Sequence, residues 1–201
     1  MTRLRLAILI SGRGSNMRAI LEAAEAPSYP AIPVLVLSNR PEADGLSHAS
    51  SRGIATAAID HKPFASDREG FEREIQDVLE MQDVEMVVLA GFMRILTPWF
   101  VSQWSERMIN IHPSLLPKYP GLNTHQRAIE AGDTEAGCSV HWVTEGVDQG
   151  DVIAQARVPI LADDTPETLA ARVLPEEHSL YPKAVKLAAE TIMRRATTSF
   201  D

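Results

Sequence analysis

Leu4-Arg-Leu-Ala-Ile-Leu-Ile10 runs directly into Ser11-Gly-Arg-Gly-Ser-Asn16, and an apolar helical stretch over residues 17–26 follows. The apolar run is far too short to span a bilayer. It reads as a strand buried on both faces, as in a parallel sheet. Strand, glycine turn and helix together form the opening unit of an α/β fold. Backbone N–H groups and the positive end of the helix dipole face one point at such a turn, so it can cradle an anion. The spacing is not a dinucleotide fingerprint: after Gly12 and Gly14 the third position falls on Met17, which is not small. A Walker A lysine is also lacking. A small phosphate monoester suits the turn better than a dinucleotide. The competing reading is a plain strand-to-helix turn, because glycines recur there for backbone reasons alone.

The chain continues the alternation. Residues 32–37, 55–59, 84–90 and 108–111 read as strands, with helices expected over 44–51, 66–81 and from Pro98 to about 104. Phe71, Ile75, Val78 and Leu79 form a helical apolar stripe. Beyond residue 111, a helix capped by Thr124, strands over 137–143 and 152–158, and a final helix from Thr165 to about 195 are expected. The short link between the last two strands implies an antiparallel hairpin. Pro175 and Pro182 interrupt the final helix, which predicts a kink or restart near Pro175. The fold class is therefore α/β: a three-layer, Rossmann-like fold, its sheet mostly parallel with an antiparallel C-terminal portion. Without repeats or linkers, residues 1–201 are expected to form a single domain.

Composition narrows the function. A net charge of −8 argues against a nucleic-acid surface. The single cysteine, Cys138, excludes an internal disulfide and reads as a small core residue. Basic residues before a short apolar run mimic a signal peptide, but the run passes straight into the glycine turn, so a first buried strand and a cytoplasmic setting are expected. No membrane partner is expected. The six histidines show no H-E-x-x-H and no close helical pair, so no metal is expected, although His112, His125 and His141 could converge.

The chemistry concentrates in Met108-Ile-Asn-Ile-His-Pro-Ser-Leu-Leu-Pro-Lys-Tyr-Pro-Gly121. Asn110 and His112 lie two apart on a strand and so point to one side. Pro113 ends the strand there. An amide can donate to a developing oxyanion and an imidazole can move a proton near neutral pH, so the pair suits acyl chemistry. Alone, the pair equally suits a turn amide and a satisfied strand-end histidine.

This run resembles the folate-dependent formyltransferases. With Ser11 to Asn16 and Gly91-Phe-Met-Arg-Ile-Leu96, it is similar to the phosphoribosylglycinamide formyltransferase family, over roughly Leu6 to Pro182. The resemblance implies a formyltransferase fold. It also implies transfer of the formyl group of 10-formyltetrahydrofolate, a co-substrate, to the amine of phosphoribosylglycinamide in purine biosynthesis. No metal is implied. It assigns Asn110, His112 and Asp148 to catalysis: Asn110 donates to the formyl oxygen, His112 stabilises the oxyanion, and Asp148 favours the imidazolium and orients it. The ribotide would meet Gly14, Ser15 and Asn16, with Leu174, Pro175, Glu176 and Glu177. The folate would meet Arg68, Met93, Arg94, Ile95, Leu96 and Asn110, with Thr144, Glu145, Gly146, Val147 and Asp148. Asn123 stands where many relatives have histidine, so position 123 is left out. Pro175 is a second departure beside the ribotide contacts. The expected partners are small molecules, in a monomer or homodimer. Two other readings stay open: a formyltetrahydrofolate hydrolase, usually with an added N-terminal regulatory domain, and an inactive nucleotide-binding module.

Overall fold

A computed structural model describes residues 3–198. An interior strand is β1 (Leu4–Ile10), whose residues Leu6 to Ile10 are completely buried. It lies between β2 (Ala31–Ser38) and β4 (Met86–Leu89), both parallel to it. β3 (Ala55–Ala58) is the outer strand beyond β2. β5 (Met108–His112) joins β4 in parallel. β6 (Glu135–Trp142) and β7 (Val152–Pro159) then extend the sheet antiparallel, completing the order β3-β2-β1-β4-β5-β6-β7. Chain order reverses between β1 and β4. Ligands of open α/β sheets bind outside the strand carboxyl ends at such a switch point.

Two apolar layers cover the sheet. On one face Met17, Ile20 and Leu21 of α1 (Ser15–Ala24), Ala49 of α2 (Asp44–Ser51) and the inner side of α6 (Pro166–Thr198) form one cluster. On the other, Phe71, Ile75 and Leu79 of α3 (Arg68–Met81) pack with Phe100 and Val101 of α4 (Pro98–Gln103). Cys138 is fully buried, and burial pushes its thiol up to about 12, as suits a core residue. No helix among the described residues is long and apolar enough to cross a membrane.

Three local expectations need correction. α1 begins at Ser15 rather than Met17, with Gly14 as its left-handed cap at φ 67°. The helix α5 (Thr124–Glu130) is capped by Asn123, not Thr124; Asn123 adopts φ 56°, a conformation asparagine tolerates, while Thr124 is buried as the first helical residue. α6 does not restart at Pro175: it runs unbroken through both prolines. An interior proline costs about 3 kcal/mol. Burial of Leu169, Val173, Tyr181 and Val185 offsets this, at about 1.5–3 kcal/mol for each large side chain. Tyr29 also donates to the Pro182 carbonyl at 2.7 Å, and the Tyr181 hydroxyl donates to the Leu89 carbonyl at 2.8 Å, fixing α6 to the end of β4.

Candidate active site

Four polar side chains meet at the carboxyl end of β5. Antiparallel pairing sets Asn110 opposite His141 and His112 opposite Ser139. Asn110 Nδ2 lies 3.4 Å from His141 Nε2. The loop after β6 then turns back and brings in Asp148. Its Oδ2 stands 3.3 Å from His112 Nδ1, and its Oδ1 stands 3.5 Å from His141 Nε2. Gly150 allows this return, since a Cβ there would lie 1.7 Å from the Trp142 carbonyl oxygen. Oδ2 also accepts the Gly121 N–H at 2.8 Å, which ties the end of the Pro-rich loop to the loop after β6.

Donor and acceptor counting defines the histidines. His112 Nε2 donates to the Tyr119 carbonyl at 2.9 Å, and its Nδ1 faces the Asp148 carboxylate. The Tyr119 carbonyl takes the Nε2 proton, and the Asp148 carboxylate faces Nδ1 as an ion-pair partner. His141 Nδ1 donates to the Trp142 carbonyl at 2.9 Å. Its Nε2 then accepts from Asn110 when the ring is neutral and donates to Asp148 when it is charged. Burial acts to raise the Asp148 carboxyl, but the His141 hydrogen bond, the Gly121 N–H and the nearby His112 outweigh it. The result lies below the ordinary carboxylate range.

The glycine turn opens a cavity of about 240 Å³, whose charged lining residues are Arg13 and Arg40. In a chain of net charge −8, that lining favours an anion. A Cβ on Gly14 would meet Met17 Cε at 3.0 Å, so glycine there serves both the backbone angle and the space. Asn16 Nδ2 donates to Glu177 Oε2 at 2.7 Å, while the buried Asn16 Oδ1 has no partner. Burial raises the Glu177 carboxyl, and the Asn16 bond opposes that rise. Leu174 and Pro175 are exposed on α6. Among the described residues, Glu177 is the one member of 174–177 that hydrogen-bonds the glycine turn.

The chain after β4 is exposed where a ligand would need it. Met93 is 71% and Ile95 66% exposed, which rejects a core role for them, while Phe92 is buried and Leu96 packs on the core below. Three side chains from elsewhere hold this loop. Ser11 Oγ accepts the Met93 N–H at 2.7 Å, Arg68 donates to the Ile95 carbonyl, and the buried Glu72 accepts both the N–H and the hydroxyl of Thr97. Arg94 is half-buried. In the loop after β6, Thr144 and Glu145 are exposed, Val147 is 49% exposed, and the Thr144 hydroxyl reaches the Gly146 carbonyl at 3.4 Å. Among the described residues, no group of three or more His, Cys, Asp or Glu is placed to hold a metal ion.

Sequence reasoning passed over Arg13, Arg40, Glu72, Ser11 and the role of His141. The position of His141 on a strand was visible, but its pairing with Asn110 needed the register.

An α/β sheet with a glycine turn after β1 and an amide–imidazole–carboxylate group after β5 defines the class. Residues 4–185 match the formyl transferase family, and the chain belongs to it. Within that family it is 46% identical to the phosphoribosylglycinamide formyltransferase of Escherichia coli, over 93% of this chain and 88% of that protein. The crystal structure of phosphoribosylglycinamide formyltransferase from Brucella melitensis is 51% identical and superposes with a TM-score of 0.88, covering 94% of this chain and 96% of that one. The chain also aligns with the trifunctional purine biosynthetic protein adenosine-3 of Drosophila pseudoobscura at 49% identity, spanning 97% of this chain but 14% of that longer protein.

Proposed function

We infer that this chain is a phosphoribosylglycinamide formyltransferase, a one-carbon transferase of purine biosynthesis. The observation that carries this is the meeting of Asn110, His112 and Asp148 at one strand end, in a chain of this family. The glycinamide amine attacks the formyl carbon of 10-formyltetrahydrofolate. A C–N bond forms, the formyl oxygen takes the charge, and the attacking nitrogen loses a proton as the folate nitrogen departs with one. Asn110 donates to the oxyanion. His112, faced by the Asp148 carboxylate, stabilises it further. Interactions of this kind act on charge that exists only along the reaction path.

Gly14, Ser15 and Asn16 bind the phosphate end of the ribotide, with Arg13 and Arg40 beside them. Glu177 takes the glycinamide amine as a charge-assisted partner. Leu174, Pro175 and Glu176 line the same side of the ribotide. Arg68, Met93, Arg94, Ile95 and Leu96, with Asn110 and the loop Thr144, Glu145, Gly146, Val147 and Asp148, hold the folate. The exposed apolar residues Met93 and Ile95 in the loop after β4 support recognition of a flat heterocycle. The chain works without a metal, as a single cytoplasmic domain, monomer or homodimer, with neither nucleic acid nor membrane as partner.

An absorbance assay with 10-formyltetrahydrofolate tests this reading. Turnover is expected only when the glycinamide ribotide is added. Equal turnover without it would make the chain a hydrolase, and no turnover in either case would make it a binding module.

A further inference from the structure

Ser11 stands between the two loops assigned to the two substrates, at the switch point between β1 and β4. It is 5% exposed. Its N–H donates to the Gly91 carbonyl at 3.1 Å. Its hydroxyl donates to Asn39 Oδ1 at 2.6 Å and accepts the Met93 N–H at 2.7 Å. A serine hydroxyl has one proton, and an amide oxygen and an N–H leave no choice of direction. The chain of bonds therefore runs from Met93 N–H to Ser11 to Asn39.

Asn39 makes this a strut rather than a loose contact. It is 1% exposed at the end of β2, and its carbonyl accepts from His61 Nδ1 at 2.9 Å. Ser11 is thus braced from below, while the residues directly after it form the phosphate turn. Gly14, Gly91 and Met93 line one common cavity with it. A ligand drawing in the N–H groups of the turn acts on a residue bonded to the folate loop, and the reverse holds equally.

We propose that Ser11, braced by Asn39, is a positioning residue that couples the two substrate subsites, so that occupancy of either one orders the loop of the other. This rests on the two-substrate reading above. Removing the hydroxyl leaves the buried Asn39 Oδ1 and the part-buried Met93 N–H without their partner. The folate loop then loses its side-chain link to the phosphate turn and keeps only the backbone bond from Ser11 N–H to the Gly91 carbonyl, while the backbone that holds the phosphate remains.

The test is calorimetry on the full chain with tetrahydrofolate, in the absence and presence of saturating glycinamide ribotide. In the wild type, ribotide should tighten tetrahydrofolate binding about 5-fold or more, the lower end of usual coupling between sites. In Ser11→Ala that ratio should fall to near 1, with ribotide binding alone changed little. Asn39→Ala, which removes only the brace, should give an intermediate ratio and serves if Ser11→Ala does not fold. A wild type that binds both ligands without coupling overturns the inference alone. A coupling ratio that survives in both variants also overturns it, as does a parallel loss of both affinities with the ratio unchanged. A wild type that binds neither ligand overturns the functional reading, and the inference with it.

Discussion

The chain leaves β4 and β5 side by side and then takes opposite courses. After β5 the Pro-rich loop is filled in and bonded by its surroundings. The Ser114 hydroxyl donates to the Lys118 carbonyl at 2.7 Å, Gln155 donates to the Leu116 carbonyl at 2.8 Å, and Asp133 draws in both Lys118 and Tyr119. Its base carries His112, 6% exposed. After β4 the loop turns Met93 and Ile95 outward, and its backbone is held at three points by Ser11, Arg68 and Glu72. On the proposed function, the difference follows from the work asked of each. Stabilising an oxyanion needs a donor fixed in position before the charge appears. Holding a flat ring needs accessible apolar side chains on a fixed loop.

That contrast predicts where damage falls on turnover and where it falls on binding. The largest effect is expected at Asp148. Asp148→Asn keeps the size but removes the charge facing both imidazoles, and kcat should fall by ~10²-fold or more. Steady-state kinetics will show it, and a kcat near that of the wild type would detach Asp148 from the chemistry. The same variant carries a stability signature. A depressed carboxyl contributes stability that is complete above the ordinary carboxylate pKa of about 3.9 and is lost as pH falls through its lowered value. The wild type should therefore have the higher Tm at neutral pH, with the gap closing on acidification below about pH 4. A gap that is constant with pH would contradict the depressed carboxyl.

Next in size is the phosphate turn. Gly14→Val places a branched side chain at φ 67°, against Met17. The ribotide KM should rise by ~10-fold or more, about the loss of one good contact to a charged group, while the folate KM stays nearly level. Equal rises would mean that the turn serves both substrates or only the fold.

A smaller effect is expected at Glu177. Its raised pKa means that the ionised form that best accepts from the glycinamide amine is lost sooner on acidification than for an exposed glutamate, whose pKa is about 4.3. Ribotide affinity should weaken as pH drops toward that range, and Glu177→Gln should flatten the dependence. Calorimetry at several pH values decides this, and a Gln variant with the wild-type slope would sink it. The smallest effect belongs to Arg68→Ala, which removes one donor to the Ile95 carbonyl. The folate KM should rise ~3-fold to 10-fold, as for a single partly exposed hydrogen bond, with kcat retained. A fall in kcat with folate KM unchanged would place Arg68 in the chemistry instead.

The sequence made the sheet readable because parallel strands buried on both faces are continuous apolar runs, as β1 is. Asn110 and His112 were readable because two-residue spacing on a strand needs no partner to interpret. Asp148 had no local signal beyond a glycine loop, and its place came from family resemblance. The struts were hidden for a physical reason. Ser11, Asn39 and Met93 are far apart in the chain, and buried hydrogen bonds between serine and asparagine leave no periodic pattern. The cap at Asn123 was missed because a left-handed asparagine mimics an ordinary loop residue. The unbroken α6 was missed because propensity counts the two prolines but not the sheet surface that the helix covers.

On the proposed function, the strand-end group performs the transfer while the loops do the binding. Single-turnover formyl transfer by His112→Ala, with calorimetry for the ribotide on the same preparation, tests it most directly. The rate should be lower by ~10²-fold or more, the scale for losing one oxyanion donor, with ribotide affinity close to wild type. A near-normal single-turnover rate would contradict it and return His112 to the part of a satisfied strand-end histidine.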